Sequence, residues 1–334
     1  DVAPAAELYF RTGFYTAGDF AKGIQELKDA GCDIITDDVT YITEPFLKDG
    51  VVAKTVNAVK DQGVTYFSAA GNFANRSYEN NFNPKQISSG VLAGKTAHDF
   101  GGGDIFQKLR LAPGNYTFVF QWVDDIYSLS ETGGTKNDLD IYLTKNEDGT
   151  GLIGYNRDNL NGDPIEFIPI TIPGTGTDSV DYNILIINNT PNATNPRIKY
   201  IVFRGNVRFM ESFAGQGAST LVGQANATGA IAVGASRYNY VPDYINNPPT
   251  GYPVDVPNNP SIPSSNITKP KIESFSSTGG TLTNGESQPR NKPDLVGPDG
   301  GNTTVKLGQD YPDWSLDGYS NFFGTSAAAP HVAG

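Results

Sequence analysis

Ser326 stands in Gly324-Thr325-Ser326-Ala327-Ala328-Ala329-Pro330-His331, a turn residue followed by small helix formers. A serine at a helix N-terminus has its oxygen near the positive end of the helix dipole, and its own N–H is a first-turn donor without an intrahelical acceptor. Such an N–H can hold an oxyanion, so the chemistry open to this residue is acyl transfer. The same residues also suit a serine cap on a buried Ala-rich helix. Asn72 closes Ser68-Ala69-Ala70-Gly71-Asn72, where its side-chain amide is either a second oxyanion donor or a turn former. Asp37 and Asp38 are adjacent carboxylates that can raise one another's pKa, or sit solvated at a strand end. The chain has 2 histidines, His98 and His331. On a continuous helix His331 points about 140° away from Ser326 and reads as a packing residue. His98 lies at the edge of a β-rich region and is not taken as a base. Asp138, Asp140 and Asp148 offer the hard oxygens calcium prefers, and serve equally as surface turn residues.

These residues need elements to hold them. Phe20, Ile24 and Leu27 form the apolar stripe of a helix that Gly31 stops. A second helix, with Val52, Val56 and Val59 on one face, runs from about Gly50 to Gly63. Leu8-Tyr9-Phe10, Asp33-Ile34-Ile35 and the run from Val64 to Ala70 read as strands. Strand–helix alternation implies a parallel sheet, with ligands at the carboxyl ends of its strands, where Asp37, Asp38 and Asn72 fall. From about 91 to 208 helical periodicity gives way to short β-rich runs (116–122, 138–143, 165–172, 182–187, 199–203) punctuated by Gly, Asn, Asp and Pro. That texture predicts an antiparallel sandwich. After 209 the first texture returns, with a small-residue strand at 229–236, a strand in 292–300 and the Ser326 helix. Residues 239–270 read as a long surface loop.

Across 334 residues, 38% are apolar, enough for a sizeable core. Lys plus Arg number 24 against 36 Asp plus Glu, a net charge of −12, which argues against nucleic acid or an anionic membrane surface as partner. No apolar run approaches membrane-spanning length. The single Cys32 excludes an internal disulfide framework and a Cys-based zinc site.

Taken together, GTSAAAPHVAG (324–334) and SAAGN (68–72) resemble the nucleophile and oxyanion motifs of the subtilisin-like serine proteases, the subtilases. DVAPAAELY, CDIITDD, AIAVGAS, ESFSSTGG and RNKPDLVGPDG are similar to further segments of that family, in its order. The resemblance covers roughly 1–90 and 209–334. It implies an α/β fold, a parallel sheet flanked by helices, interrupted at 91–208 by an antiparallel β-sandwich (jelly-roll-like) resembling pre-peptidase C-terminal domains. It implies Ser326 as nucleophile, with its N–H and the Asn72 side chain as oxyanion hole, supported by Thr325. Gly71, Asp37 and Asp38 would line the substrate side, with Asp38 departing from the family's small polar residue.

The family's triad Asp and His have no counterpart in the sequence. The chain is therefore expected to be a piece of a larger subtilase, cut at both ends and inactive alone, because a serine without a base is a weak nucleophile. The whole protein would be a secreted or cell-envelope endopeptidase acting on proteins or peptides, monomeric, without a required cofactor, calcium being at most a structural ion. An acid-working sedolisin-like variant and a non-catalytic peptide-binding scaffold are the rival expectations.

Overall fold

The computed structural model describes residues 2–190, 194–238, 271–305 and 320–334. The surface loop expected at 239–270 lies outside them. Four strands, β1 (Ile34–Asp37), β2 (Thr65–Ala69), β13 (Ala230–Arg237) and β14 (Leu295–Asp299), form a parallel sheet in that order. Helices α1 (Ala17–Asp29) and α2 (Val51–Asp61) cover one face, where Phe20, Ile24, Val52, Val56 and Val59 pack on Ile35 and Tyr66. Helix α3 (Thr325–Ala333) covers the other, with Ala328 and Ala329 against Phe67, Ala69, Val233 and Ala235. Close approach of α3 is possible because position 297 is glycine. A Cβ there would lie 2.7 Å from the Ala328 carbonyl oxygen.

The helices follow their sequence signals. Thr16 caps α1 through its hydroxyl, which accepts from the Asp19 N–H. Gly31 follows the helix at φ 97°. Gly50 offers α2 no side-chain cap. That end is served instead by Glu44, a buried carboxylate that accepts from the Val52 N–H. A Cβ on Gly50 would collide with the Glu44 carboxylate at 2.4 Å, so the glycine makes room for the cap. No strand forms at Leu8–Phe10. Leu8 and Phe10 are 86% and 91% exposed, and no strand among the described residues pairs with them. A strand is defined by the neighbour that pairs its backbone, and this run has none among the described residues.

The remaining strands are antiparallel. One sheet runs β3 (Ser77–Asn81), β11 (Arg197–Phe203), β7 (Gly114–Trp122), β9 (Ile165–Ile172). The other runs β12 (Val207–Phe209), β6 (Gln107–Leu111), β10 (Val180–Asn188), β5 (Thr96–His98), β4 (Pro84–Gln86), with β8 (Leu139–Thr144) also on β10. Their facing residues, Phe118, Phe120, Ile198 and Tyr200 against Leu109, Ile141 and Ile184, share one core. The intervening residues of β7 and β11 are buried too. Val119, Ile201 and Phe203 pack on Phe46, Leu47 and Val222, which joins this layer to the rest of the molecule. Gln121 stitches the seam, accepting from the Phe46 N–H at 2.7 Å and donating to the Glu44 carbonyl at 3.1 Å. A short ribbon, β15 (Gly301–Thr303) with β16 (Ser320–Phe322), leads into α3.

Candidate active site

Parallel register sets Asp37 beside Ser68, so the carboxyl ends of β1 and β2 lie at the same edge of the sheet. Ser326 enters this edge in the first turn of α3. The turn before it depends on Gly324 at φ 125°, a conformation side chains rarely adopt. The Gly324 N–H donates to the carboxylate of Asp299, the buried last residue of β14, at 3.0 Å. Burial pushes the Asp299 pKa up to about 6.

Thr325 fixes Asn72. Its N–H and its hydroxyl both donate to Asn72 Oδ1, at 3.0 and 3.1 Å, and the same hydroxyl accepts from the Gly71 N–H at 3.0 Å. With the amide oxygen held, Asn72 Nδ2 is turned toward Gly324. A Cβ added to Gly324 would lie 3.3 Å from that Nδ2 and 3.6 Å from the Ser326 nitrogen, so the notch over the glycine is bordered by two nitrogens that carry N–H groups. A carbonyl oxygen seated there would meet both donors, the arrangement that stabilises developing negative charge in acyl transfer. Gly71, at φ 98°, is required as well, because a Cβ would lie 2.7 Å from the Phe73 ring. The Asn72 carbonyl accepts from Arg76, whose guanidinium also donates to the carbonyls of Phe73, Arg204 and Gly205.

The two adjacent carboxylates part company. Asp37 is buried and turned into the sheet. It accepts from the Ser68 hydroxyl at 3.1 Å, the Gln224 amide at 3.3 Å and the Val39 N–H at 3.4 Å. Burial raises its pKa to about 6. Asp38 keeps an exposed surface at the end of β1. The protein around it pushes its pKa up, with the Ser326 side chain pulling the other way. The structure thus gathers Ser326, Thr325, Asn72 and Gly71, leaves Asp38 exposed just past the end of β1, and sets Asp37 into the sheet as a strut.

Neither histidine joins this group. His98 is fully buried in the antiparallel core, with Nδ1 accepting from the Asn83 N–H at 2.9 Å and Nε2 paired with the Tyr78 hydroxyl at 2.7 Å. Burial lowers its pKa to about 4, so the ring is neutral. His331 is exposed rather than packed, with Nδ1 on the Ala327 carbonyl one turn back. Asp138 and Asp140 lie at the start of β8, Asp140 accepting from Tyr142 and Asn189, while Asp148 sits in an exposed turn past the other end of that strand. Among the described residues no three His, Cys, Asp or Glu side chains gather closely enough to hold a metal ion. Asp299 and Glu44 escaped the reading of motifs. Asp299 ends a strand with a turn signal after it, which marks the place but not the partner.

Residues 173–334 match the model of the Subtilase family, Peptidase_S8, which agrees with the resemblance carried by the Ser326 motif. No curated protein matches the sequence. Among solved structures the chain is similar to that of the Clostridium perfringens CspB protease, at 15% identity and a TM-score of 0.49, over 95% of this chain and 59% of that one. The chain thus spans less than two thirds of that structure's length.

Proposed function

We infer from the subtilase-family segment at residues 173–334 that the protein is a serine endopeptidase, and that Ser326 attacks the peptide carbonyl while Asn72 Nδ2 and the Ser326 N–H receive the oxyanion. The observation that carries this reading is the notch over Gly324, bordered by the two nitrogens at 3.3 and 3.6 Å from one point in space. A capped structural helix has no need of an amide locked by two Thr325 donors so that its nitrogen faces the cap. In this reading Thr325 and Asp299 position the groups, Gly71 and Gly324 let the substrate backbone approach, and Asp37 braces β1 against β2. The 91–208 region forms a module beside the substrate cleft. Proteins or peptides are the substrates, and the setting is extracytoplasmic, as is common among subtilases. No helix among the described residues is long and apolar enough to cross a membrane.

Peptide cleavage by the full-length protein, compared with Ser326→Ala, tests the reading. Loss of about a thousandfold or more in kcat/KM is expected, since removing the nucleophile leaves only binding and the oxyanion donors. Cleavage retained in Ser326→Ala would leave the site as a peptide-binding scaffold.

A further inference from the structure

Strand β9 pairs only with β7 among the described residues, so its far edge carries no ladder. The Trp122 N–H donates to the Pro164 carbonyl at 3.4 Å. Alternation from that bond makes Phe120–Glu166 and Phe118–Ile168 hydrogen-bonded pairs, and turns the backbone groups of Ile165, Phe167, Pro169 and Thr171 to the far edge. Pro169 agrees, because a proline in a sheet sits where its missing N–H would face outward. The Ile165 carbonyl is closed by Arg157 Nη2 at 2.7 Å and Asn159 Nδ2 at 3.1 Å. Beyond it, Phe167 is half-buried and Pro169 and Thr171 are exposed. Phe167 and Thr171 thus each present an N–H and a carbonyl, and Pro169 a carbonyl, with no strand opposite them among the described residues.

A cleft of about 430 Å³ opens beside Phe167, with Thr43, Tyr127, Arg157, Asp163 and Ile165 among its walls. That volume lies in the range of ligand-binding clefts. Tyr127 is 66% exposed, and its turn is fixed by Asp163, which accepts from the Ser128 N–H at 2.8 Å. The cleft is continuous with the substrate side of the parallel sheet through Thr43. That residue lies on the segment that leaves the end of β1, the sheet edge that Ser326 enters. From Asp38 to Thr43 a fully extended chain spans at most about 18 Å.

We propose that the far edge of β9 and the cleft beside it form an auxiliary site for an extended polypeptide, a segment of the substrate remote from the bond that Ser326 cleaves. The proposal rests on the reading of Ser326 as a protease nucleophile. Backbone donors and acceptors repeating at strand spacing match the backbone of another polypeptide, which adds to the sheet as a further strand. Tyr127, Ile165 and Phe167 offer an aromatic and aliphatic wall for one of its side chains. A second copy of this chain is the poorer occupant. Antiparallel pairing of two β9 edges about their middle sets Pro169 against Pro169, where neither supplies an N–H, whereas a foreign strand forgoes a bond only to the Pro169 nitrogen. Holding a long substrate at two points raises its effective concentration at Ser326 without altering the chemistry there.

The test compares, in the full-length protein, cleavage of a short peptide with cleavage of an unfolded peptide about 20 residues longer at each end, enough to reach past that span. In the wild type kcat/KM for the long peptide should exceed that for the short one by about tenfold or more. Tyr127→Ala removes the exposed ring, and Thr171→Pro removes an N–H that the β7–β9 ladder does not use. Each should lower the long-to-short ratio by about threefold or more, the scale of one aromatic contact or hydrogen bond. An unchanged ratio in both variants would overturn the auxiliary site. Binding of the labelled long peptide to Ser326→Ala protein, read by fluorescence anisotropy, gives the same comparison without cleavage. Absence of Ser326-dependent cleavage of either peptide would overturn the nucleophile reading. Binding weakened by Tyr127→Ala and Thr171→Pro would then still support a polypeptide on this edge, and equal binding would overturn it. A dimer in sedimentation that Thr171→Pro dissociates would assign the edge to a second copy and overturn the substrate role.

Discussion

Asn72 owes its direction to Thr325 rather than to its own turn. Two Thr325 donors on Oδ1 leave Nδ2 as the group that faces the notch. Two substitutions separate holding from donating. Asn72→Ala removes the donor, and kcat should fall by about a hundredfold or more with KM little changed, the scale of such losses in subtilisin itself. Thr325→Val keeps the shape and the N–H contact but removes the hydroxyl that bridges Gly71 and Asn72. It should lower kcat about tenfold and cost about 1–3 kcal/mol of stability for the unpaired Gly71 N–H. Steady-state kinetics and urea unfolding of the pair check this, and a Thr325→Val enzyme with full kcat would remove threonine from the site. Ser326 and Asn72 were legible because small residues, glycines and turn signals are local. The burial of Asp37 with Asp38 left exposed was not, because nothing in a string of letters says which of two adjacent carboxylates faces outward. Strand alternation splits Asp37 from Asp38, and only the packing on the sheet decides which of the two is buried.

At the scale of elements, α2 shows what the apolar stripe leaves unsaid. Val52, Val56 and Val59 announced a helix, but the group that satisfies its first N–H donors is Glu44, placed there by the chain's own reversal. The same reversal carries Phe46 and Leu47 into the seam with β7 and β11, where Gln121 holds it. Burial raises the Glu44 pKa to about 7 despite the helix N–H groups that favour its charge. Glu44→Ala should destabilise the protein by about 1–2 kcal/mol, the cost of an unserved helix N-terminus, visible in the urea midpoint. An unchanged midpoint would mean water serves that end equally well. The mistaken strand at Leu8–Phe10 belongs to this scale as well, since three apolar side chains promise burial only if another element arrives to cover them.

Over the whole molecule, buried acids set the response to pH. Burial lifts Asp37 and Asp299 to about 6, Glu44 to about 7 and Glu166 to about 8. Each binds its proton more tightly folded than unfolded. Its stabilising contribution is complete below the ordinary carboxylate range and is lost as pH rises through the folded value. His98 acts oppositely. Its folded pKa, about 4, lies below the unfolded 6.5, so its contribution is complete above 6.5 and lost as pH falls. Four acids against one histidine predict a urea midpoint that declines from about pH 5 to 8. Glu166, 2% exposed, dominates the upper end. Glu166→Gln should flatten the decline between about pH 7 and 8, and parallel curves for wild type and variant would refute that assignment.

Arg76 adds a different kind of linkage. Its guanidinium is neutralised by no carboxylate in the contacts it makes to the 72–73 and 204–205 segments. It is held by four backbone carbonyls, which neither titrate nor rotate away as a carboxylate does. A clamp of that sort is indifferent to acidity. As the buried acids discharge or ionise, the tether between the β11–β12 turn and Asn72 keeps its partners. Strain imposed on the antiparallel layer, by a bound polypeptide or by force, would therefore reach the amide in acid and in base alike.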